Sequence, residues 1–505
     1  MTSSIHTSSG VEVQSHTYET FAGLDSSRDL RSQDTGKEQH LSILDNGYCD
    51  WRGQIVRDPA ATFRKGEKRI DHLIFYTPGK LAWAETTGGG VKFNTDDDVV
   101  LDVHPLGAKI SSTVFNKKVH FCSLALPPYS FDGYSWTATK SAALAILAPA
   151  YATAVQRRMV VAGIPGRETE IHLSRVDNEA VFPDDERDDE ASILRAGYIN
   201  IANILGTADV IKGIASFEQN RLCVFTSDRC FVYKIDPDIT QWYLDDRANI
   251  NIGTISHNSV AQAGTDILFC SRNGVHSIVR SEDNGILVYS QSMSDKVELT
   301  YREMLTEVGN LEDVSAVFDQ DEGQYHIFFP QEGGQYSKRL TLTMNPEIGG
   351  RPRWSTGSFI NARSGAFLAG DLVYGTSGGV YDIKKVDEAG DTKPEMVVQT
   401  PILWCGSISN TKDAYSLVIQ AQGSGVLVID AKDENGRDLA SMKFDVTPGE
   451  VDDTFIADVP LSAQYERKFD VRFRGVQLKF TLQSSGLFRL VGFAINTREP
   501  KKAKR

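Results

Sequence analysis

Two short segments of this 505-residue chain have the composition of a chemical site. Gly375-Thr376-Ser377-Gly378-Gly379 flanks a serine with glycines, as the nucleophile loops of serine proteases do, but related segments carry Pro-Gly or Asn-Gly at the same place in a repeated hairpin. The segment DAKDENGRD (430–438) gathers carboxylates around a glycine, without the spacing or the downstream glutamate of an EF-hand. Short glycine-rich stretches between apolar runs indicate turns. We therefore predict hairpin turns at both segments.

Metal-binding and redox motifs are also missing from the sequence. The ten histidines are dispersed, and no HExxH, Walker A or Rossmann glycine pattern occurs. Cys223 and Cys230 flank one predicted hairpin turn and could face each other, although free buried thiols are favoured for all six cysteines: Cys49, Cys122, Cys223, Cys230, Cys270 and Cys405. We assign no catalytic, cofactor-binding or metal-binding residue, and we expect neither a cofactor nor an enzyme.

The charge distribution restricts the partners. A net charge of −14 argues against a general nucleic-acid-binding surface, yet an acidic wall suits a conduit that DNA passes without sticking. The acidic run 184–190 (DDERDDE) is expected to be a solvated loop, with pairing to a basic partner as the alternative. The basic tail 498–505 (REPKKAKR) is expected to be a disordered terminus or a protein contact, and a DNA contact is the less favoured interpretation.

No targeting or membrane segment is recognisable. Residues 1–20 contain nine Ser or Thr and no apolar core of a signal peptide. The most apolar run, 142–155, has 14 residues and is interrupted by Pro149, whereas a membrane span needs about 20. A cytosolic product without an anchor is expected.

An internal repeat indicates the fold. Apolar runs separated by turns recur as predicted β-hairpins at 72–85, 119–136, 159–176, 221–236, 266–281, 324–343 and 371–387. Several are preceded by another short strand, so the unit has at least three strands and recurs every 40–60 residues or so. Such units must stack to bury their faces, and radial stacking gives a β-propeller of six or seven blades over 61–390. A linear solenoid is the less favoured architecture.

Three segments fall outside the repeat. Residues 1–60 are expected to form a partly extended N-terminal segment. An amphipathic pattern over 294–308 predicts one inserted helix, with Ser294 or Asp295 as N-cap and a Glu298–Arg302 pair. Strict alternation at 469–474 and 476–483, with a bulge or turn at Gly475, predicts half of a small β-sandwich over 391–497. The predicted fold is thus an all-β propeller followed by a small C-terminal β-sandwich.

Several stretches together resemble the β-propeller tail nozzle, or tail hub, proteins of short-tailed bacteriophages. The resemblance extends over about residues 21–497 and is carried by loose structural patterns. They are FAGLDSSRDLRSQDTGKEQHLSILDNGYCDWRGQIVRDPA (21–60), VVAGIPGRETEIHLSRVDN (160–178), SHNSVAQAGTDILFCSRNGVHSI (256–278), SMSDKVELTYREML (292–305) and WCGSISNTKDAYSLVIQAQGSGVLVIDAKDENG (404–436).

This resemblance implies a structural virion protein. It would form a homohexameric ring at the end of the tail, bind the adaptor ring below the portal, retain packaged DNA and provide the channel for genome ejection. Tail fibres or spikes and a tip protein would be further partners, and DNA would only pass through. Its location would be the virion tail, assembled in the host bacterial cytoplasm. The chain is shorter than the largest nozzle proteins, so large inserted platform domains are expected to be missing.

Two other functions remain open. A carbohydrate-active propeller, such as a depolymerase or a sialidase-like enzyme, would need converging carboxylates, or an arginine cluster with a nucleophilic tyrosine, in its central funnel. A cellular scaffold propeller of the WD40 type would need the Gly-His and Trp-Asp pairs of its repeats, which the sequence lacks.

Overall fold

The computed structural model describes most of the chain. The described residues are 2–6, 12–31, 39–87, 90–103, 110–124, 126–138, 148–183, 185–189, 191–205, 209–245, 250–278, 282–283, 286–287, 292–331, 336–344, 352–384, 393–406, 408–446, 463–483 and 487–498.

Eight short strands precede the first blade of a β-propeller. They are β1 (Thr2–His6), β2 (Glu12–Tyr18), β3 (Phe21–Leu24), β4 (Gln39–Leu41), β5 (Ile43–Asp45), β6 (Gly47–Cys49), β7 (Ile55–Arg57) and β8 (Ala61–Lys65).

Seven antiparallel sheets follow, one for each blade. Blade 1 holds β9 (Arg69–Thr77), β10 (Lys80–Thr87), β11 (Gly90–Thr95) and β12 (Leu101–Val103). Blade 2 holds β13 (Ile110–Phe115), β14 (Lys118–Ser123), β15 (Leu126–Phe131) and β16 (Trp136–Ala138). Blade 3 holds β17 (Tyr151–Val155), β18 (Arg158–Ile164), β19 (Arg167–Leu173) and β20 (Gly197–Asn200). Blade 4 holds β21 (Gly213–Phe217), β22 (Arg221–Phe225), β23 (Cys230–Lys234) and β24 (Tyr243–Leu244).

The remaining blades continue in chain order. Blade 5 holds β25 (Ala261–Ala263), β26 (Asp266–Ser271) and β27 (Gly274–Ser277), and the short hairpin β28 (Glu282–Asp283) and β29 (Ile286–Leu287) comes next. Blade 6 holds β30 (Ser315–Asp319), β31 (Gln324–Pro330), β32 (Ser337–Thr343) and β33 (Arg353–Gly357). Blade 7 holds β34 (Ala362–Leu368), β35 (Asp371–Thr376) and β36 (Gly379–Ile383), and β8 is its outermost strand.

The first strand of each blade lies innermost, and these strands form a closed ring. Neighbouring inner strands contact one another from β9 round to β34, which contacts β9 again. Between β21 and β25 the contact passes through the 3₁₀ turn His257–Ser259. Apolar cores fill the spaces between blades: Phe93 stacks on Phe121 with centroids 4.8 Å apart between blades 1 and 2. Such pairs add about 0.5–1.5 kcal/mol to the burial of their area.

The N-terminal strand β8 closes this ring. It pairs antiparallel with β36, placing Ala61 opposite Ile383. Arg64 on β8 then joins blade 7 to blade 1, because its guanidinium donates to Asp382 at 2.9 Å and to Asp96 at 2.7 Å. We call Arg64, Asp96 and Asp382 the closing clasp. Since β8 pairs with the last blade, the two ends of the propeller segment are hydrogen-bonded and β36 is not left as a free edge.

In the part of the chain that the structure describes, two helices and several 3₁₀ turns interrupt the strands. The helices are α1 (Ala202–Leu205) and α2 (Glu298–Glu307), and 3₁₀ turns span Ile239–Gln241, His257–Ser259, Asp295–Val297 and Leu311–Asp313. Helix α2 buries Tyr301 and Met304, and the Tyr301 hydroxyl donates to the Ser271 carbonyl at 2.6 Å. Glu298 and Arg302 form an ion pair of 2.5 Å on its surface. No helix among the described residues is long and apolar enough to cross a membrane.

The C-terminal unit is a β-sandwich. Its strands are β37 (Met396–Gln399), β38 (Lys412–Gly423), β39 (Gly425–Asp433), β40 (Asp438–Val446), β41 (Ala463–Phe473), β42 (Val476–Gln483) and β43 (Phe488–Arg498). One sheet runs in the order β1-β2-β43-β38-β41, and the other contains β37-β42-β39-β40. The alternation at 476–483 buries Val476, Leu478, Phe480 and Leu482, and Gly475 lies at the turn where the chain crosses from one sheet to the other.

The propeller and the sandwich share a sheet. Strands run without a break in the order β30-β31-β32-β33-β5-β37-β42-β39-β40, so that blade 6 continues into the sandwich through β5. Thr356 of β33 pairs with Asp45 of β5 in parallel, and Asp45 pairs with Val397 of β37. The predicted all-β fold, a propeller followed by a C-terminal β-sandwich, is confirmed, and the propeller has seven blades.

Candidate functional site at the axial channel

A cavity of about 490 Å³ follows the propeller axis. All seven inner strands contribute to its wall: His72 from β9, Ser112 from β13, Thr153 from β17, Ser216 from β21, Gln262 from β25, Val317 from β30 and Gly365 from β34. This volume is in the range of small-ligand sites, about 300–1,000 Å³. One turn of a DNA duplex is about 34 Å long and wider than its major groove of about 12 Å, so it occupies several times this volume and cannot fit in the cavity.

A second cavity, of about 400 Å³, lies where the inner strands begin, and we call it the mouth. Its lining comes from six of the blades and their leading turns: Arg69, Asp71, Ile110, Tyr151, His257, Asn258, Glu312, Asp313 and Arg363. The mouth therefore gathers side chains that are up to about 300 positions apart in the sequence. In contrast, Phe75, Phe318, Phe367 and Leu368 are among the apolar residues that line the axial cavity.

Asp71 organises one side of the mouth. Asp71 is the extra residue of a β-bulge in β9, because Ala84 pairs with His72 and Glu85 pairs with Ile70. Arg69 Nε donates to Asp71 Oδ1 at 2.6 Å, the Thr86 hydroxyl donates to Oδ2, and Arg363 Nε lies 3.6 Å from Oδ1. Burial is the main reason that the pKa of Arg363 is lowered, since its side chain is only 5% exposed. Asp71 thus holds two arginines from blades 1 and 7 at the same edge.

The turn Leu311–Asp313 forms the facing side. Asn310 caps it by accepting the Glu312 N–H at 3.2 Å. Glu312 forms an ion pair of 2.6 Å with Lys212, which precedes blade 4, and its carbonyl accepts the Ser256 hydroxyl at 2.9 Å. Desolvation raises the pKa of Asp313, while Arg363 and Arg69 act in the opposite direction. Around the mouth, three cations (Arg69, Lys212, Arg363) therefore balance three carboxylates (Asp71, Glu312, Asp313).

Two buried histidines lie beside the channel. Burial lowers the pKa of His72 to about 4 and that of His257 to about 3, so both are neutral at neutral pH. His72 Nε2 lies 2.7 Å from the Ser112 hydroxyl. The Ile214 N–H donates to His257 Nδ1 at 3.4 Å, which places the proton of this neutral imidazole on Nε2. His257 therefore presents a donor, and its ring packs 5.0 Å from that of Tyr151.

Comparison with known proteins adds little to this geometry. No family model matches the chain, and no curated protein matches it in sequence. Among solved structures, a streptogramin B lyase is similar with a TM-score of 0.41 and 8% identity over 64% of this chain and 97% of its own. Virginiamycin B lyase from Staphylococcus aureus is similar with a TM-score of 0.41 and 8% identity, over 64% of this chain and 98% of the lyase. YCF48 from Cyanidioschyzon merolae is similar with a TM-score of 0.38 and 11% identity, over 64% of this chain and 98% of YCF48. At these values, the function must be inferred from this chain's own residues.

The segments singled out in the sequence are turns and loops. The Gly378 N–H donates to Thr376 Oγ1 at 3.0 Å, and that hydroxyl donates to the Gly379 carbonyl at 3.0 Å, so 375–379 is the hairpin turn of β35 and β36. Asp433 Oδ1 accepts the N–H groups of Asn435 at 2.8 Å and Arg437 at 2.9 Å. The predicted hairpin turn is therefore present within 430–438, at residues 434–437 between β39 and β40. Among the described residues, no cluster of His, Cys, Asp and Glu is arranged to hold a metal ion.

The charged and sulfur-bearing segments have ordinary surroundings where they are described. Asp185 and Asp188 of the acidic run lie in the loop between β19 and β20, and Asp188 accepts the Ala196 N–H at 2.9 Å. Arg498 ends β43 and lies over the Tyr415 ring at 4.6 Å, whereas the rest of the basic tail lies outside the described residues. All six cysteines lie among the described residues as buried thiols outside any disulfide bond, as predicted.

Sequence reasoning missed the mouth. Its charged residues belong to different repeats, and no spacing connects Arg69 with Arg363. The sequence nevertheless contains a usable signal, because the charged residues of the mouth lie at or just before the first strand of a repeat. These residues are Arg69, Asp71, Glu312, Asp313 and Arg363. Because these strands converge on the axis, aligning the repeats on their first strand would have brought the residues together.

Proposed function

We propose that this chain is a structural ring protein of a virion tail, a nozzle through which DNA leaves the capsid, and that it acts as a homohexamer bound to an adaptor ring. The observation that carries the proposal is the continuous nine-stranded sheet. It joins blade 6 to the sandwich through β5, so the two units form one body that can hold a fixed angle between neighbours. Fixed geometry is what a closed heterologous ring requires of its subunits.

The axial cavity determines where the conduit lies in this proposal. Since about 490 Å³ cannot admit a duplex, DNA must pass between copies rather than along a propeller axis. A net charge of −14 per chain makes a lumen bounded by several copies acidic unless its wall is locally basic. Phosphates gain nothing from an acidic wall, so DNA would slide without binding.

Exposed apolar side chains at the outer rim offer contacts for ring assembly. Three apolar side chains there are each more than half exposed. Tyr198 and Tyr243 lie on the outer strands of blades 3 and 4, and Ile193 lies in the loop between β19 and β20. Within one propeller, blade 3 lies three blades away from blade 6, which is the largest separation that seven blades allow. A rim on one side and a sandwich on the other give each copy two different surfaces for its two neighbours.

Mass photometry of the purified chain, alone and mixed with the adaptor ring, tests the proposal. We expect a species of six chains, either alone or nucleated by the adaptor. Tyr198→Ser with Tyr243→Ser should weaken this species, and Tyr134→Ser, which changes an exposed tyrosine on blade 2 outside both surfaces, is the control. A chain that stays monomeric at high concentration and in the presence of the adaptor would contradict the proposal.

The mouth supports a second candidate, an enzyme that acts on carbohydrates. It brings carboxylates, two arginines and Tyr151 together at the propeller axis, which the sequence did not suggest. Tyr151 is a poor nucleophile, however, because burial raises its pKa and its residue is only 7% exposed. Release of reducing sugar from a polysaccharide by the pure chain, abolished by Asp313→Asn, would favour this candidate over a purely structural role.

A further inference from the structure

The mouth has the size and solvent exposure of a binding site, and the ring proposed above assigns no contact to it. Its volume of about 400 Å³ is within the range of small-ligand cavities. The side chains of Arg69 and Asp71 keep 42% and 21% of their surface exposed there. The structure records no hydrogen bond to the Asp313 carboxylate among the described residues. The mouth therefore presents charged groups that can still accept and donate to a ligand.

The balance of charge selects the type of ligand. Two arginines and three carboxylates line the mouth, and Lys212 outside the lining neutralises Glu312. An anion would therefore meet Asp71 and Asp313, while a cation would meet Arg69 and Arg363. A neutral ligand avoids both conflicts. It must also offer many donors and acceptors, since it would replace the water around these ionised groups.

Hydroxyl groups fit the mixture of polar partners. A hydroxyl donates once and accepts, so neighbouring hydroxyls can accept from an arginine and donate to a carboxylate at the same time. Arg69 and Arg363 supply donors, and Asp313 supplies an acceptor. Asn258 Nδ2 already donates to the Ile110 carbonyl at 3.2 Å and Asn310 Oδ1 accepts the Glu312 N–H, so these amides contribute chiefly Asn258 Oδ1 as an acceptor and Asn310 Nδ2 as a donor. His257 adds the Nε2–H donor that its bond at Nδ1 leaves available.

An apolar wall completes the mouth. Ile110, Ala150 and Tyr151 line it beside the charged groups. A pyranose has polar hydroxyl edges and an apolar face of C–H groups, which matches this division. We propose that the mouth binds a neutral mono- or disaccharide, with Arg69 and Asp313 as the main polar contacts. This proposal goes beyond ring assembly and does not depend on it.

Saturation-transfer difference NMR on the full chain tests the proposal. The probes are glucose, galactose, mannose, N-acetylglucosamine and maltose as neutral sugars, with glucuronate and glucosamine as charged comparators. Each sugar is added at a low millimolar concentration. We expect saturation transfer to at least one neutral sugar, and weaker transfer to its charged relatives.

Variants locate the binding. Asp313→Asn and Arg69→Gln should each weaken binding about tenfold or more, the cost of losing a hydrogen bond to a charged group. Asp371→Asn at the exposed start of β35 in blade 7 and Arg302→Gln on helix α2 are matched controls that should bind normally. Urea unfolding checks that each variant is folded, and either mouth variant suffices if the other fails.

Three results would overturn the proposal: no transfer to any neutral sugar, equal binding by mouth variants and controls, or a clear preference for glucuronate or glucosamine. Rings that form without sugar binding would refute this site and leave the proposed ring intact. Sugar binding by a strict monomer would support this site and refute the proposed ring.

Discussion

Two arginine–carboxylate clusters in this molecule use the same chemistry in opposite surroundings. Asp58 and Arg339 join the N-terminal segment to blade 6, and their side chains are only 9% and 12% exposed. They border a cavity of about 230 Å³ between blades 6 and 7 and the sandwich. We call them the buried pair. At the mouth, Arg69 and Asp71 are 42% and 21% exposed around a cavity nearly twice as large.

The difference teaches which charges maintain the fold and which can meet a ligand. In the buried pair, the Asp58 carboxylate raises the pKa of Arg339 although burial opposes this, so the guanidinium stays charged and depends on its partner. Nearby His326 is kept neutral by burial, with Arg339 lowering its pKa further, and adds no second cation. The mouth has solvent as well as partners, so the loss of one group there can be compensated by water.

The largest expected effect comes from breaking the buried pair. Asp58→Asn leaves the Arg339 charge without its counter-ion, and such a change costs about 3–5 kcal/mol of unfolding free energy. Urea unfolding measures it. Asp58→Leu combined with Arg339→Met removes both charges and should recover most of the loss. A cost below about 1 kcal/mol for the single variant would show that the pair does not stabilise the join.

The neutral histidines of the channel should make stability depend on pH. Unfolded histidine takes up a proton below about pH 6.5, whereas folded His72 does so only near pH 4 and His257 near pH 3. Stability is therefore complete above pH 6.5 and is lost as the pH falls towards 4, by about 1.4 kcal/mol per pH unit for each histidine. His72→Gln should flatten the slope by that amount in urea unfolding from pH 6.5 to 4.5. Gln262→Asn, a change in the same cavity without a titrating group, should keep the wild-type slope.

Breaking the closing clasp should lower the free energy of unfolding by less than breaking the buried pair does and by more than a change at the mouth does. Arg64 is 21% exposed and has two carboxylate partners, so Arg64→Met should cost about 1–2 kcal/mol of unfolding free energy. Lys80→Met, which removes an exposed pair with Asp97, is the control and should cost at most about 0.5 kcal/mol. Equal costs for the two variants would mean that closure of the ring does not depend on Arg64.

The smallest effect on stability is expected at the mouth. Arg69→Gln should change the unfolding free energy by no more than about 0.5 kcal/mol, because the pair is exposed to solvent. The same variant should nevertheless weaken sugar binding. If Arg69→Gln lowered the unfolding free energy by more than about 2 kcal/mol, the charges of the mouth would stabilise the fold as the buried pair does. The distinction between ligand-binding and structural charges would then fail.

The repeated hairpins made the propeller predictable, because period-two apolar runs and glycine turns are local signals. One unit was misplaced within its blade: 72–85 contains the first and second strands of blade 1, whereas the other hairpins contain second and third strands. The tight turn at Pro78 and Gly79 between two long apolar runs explains this difference, since it looks like the turns of the other units.

Contacts between distant residues could not be predicted in this way. Strand β8 pairs with β36 about 320 residues later, and β5 joins blade 6 to the sandwich through Thr356 and Val397. Neither short strand has a pattern that names its partner. The mouth is hidden for the same reason, since Asp71 meets Arg363 only because the blades close into a ring. Local alternation determines the strands, while the topology determines the site.

Single-particle imaging of the assembled chain would show directly where the conduit lies. We predict a ring of six copies whose opening is bounded by several chains, with each propeller axis away from the centre of the ring. Particles that contain one chain, or rings too narrow at their centre for a DNA duplex, would contradict it.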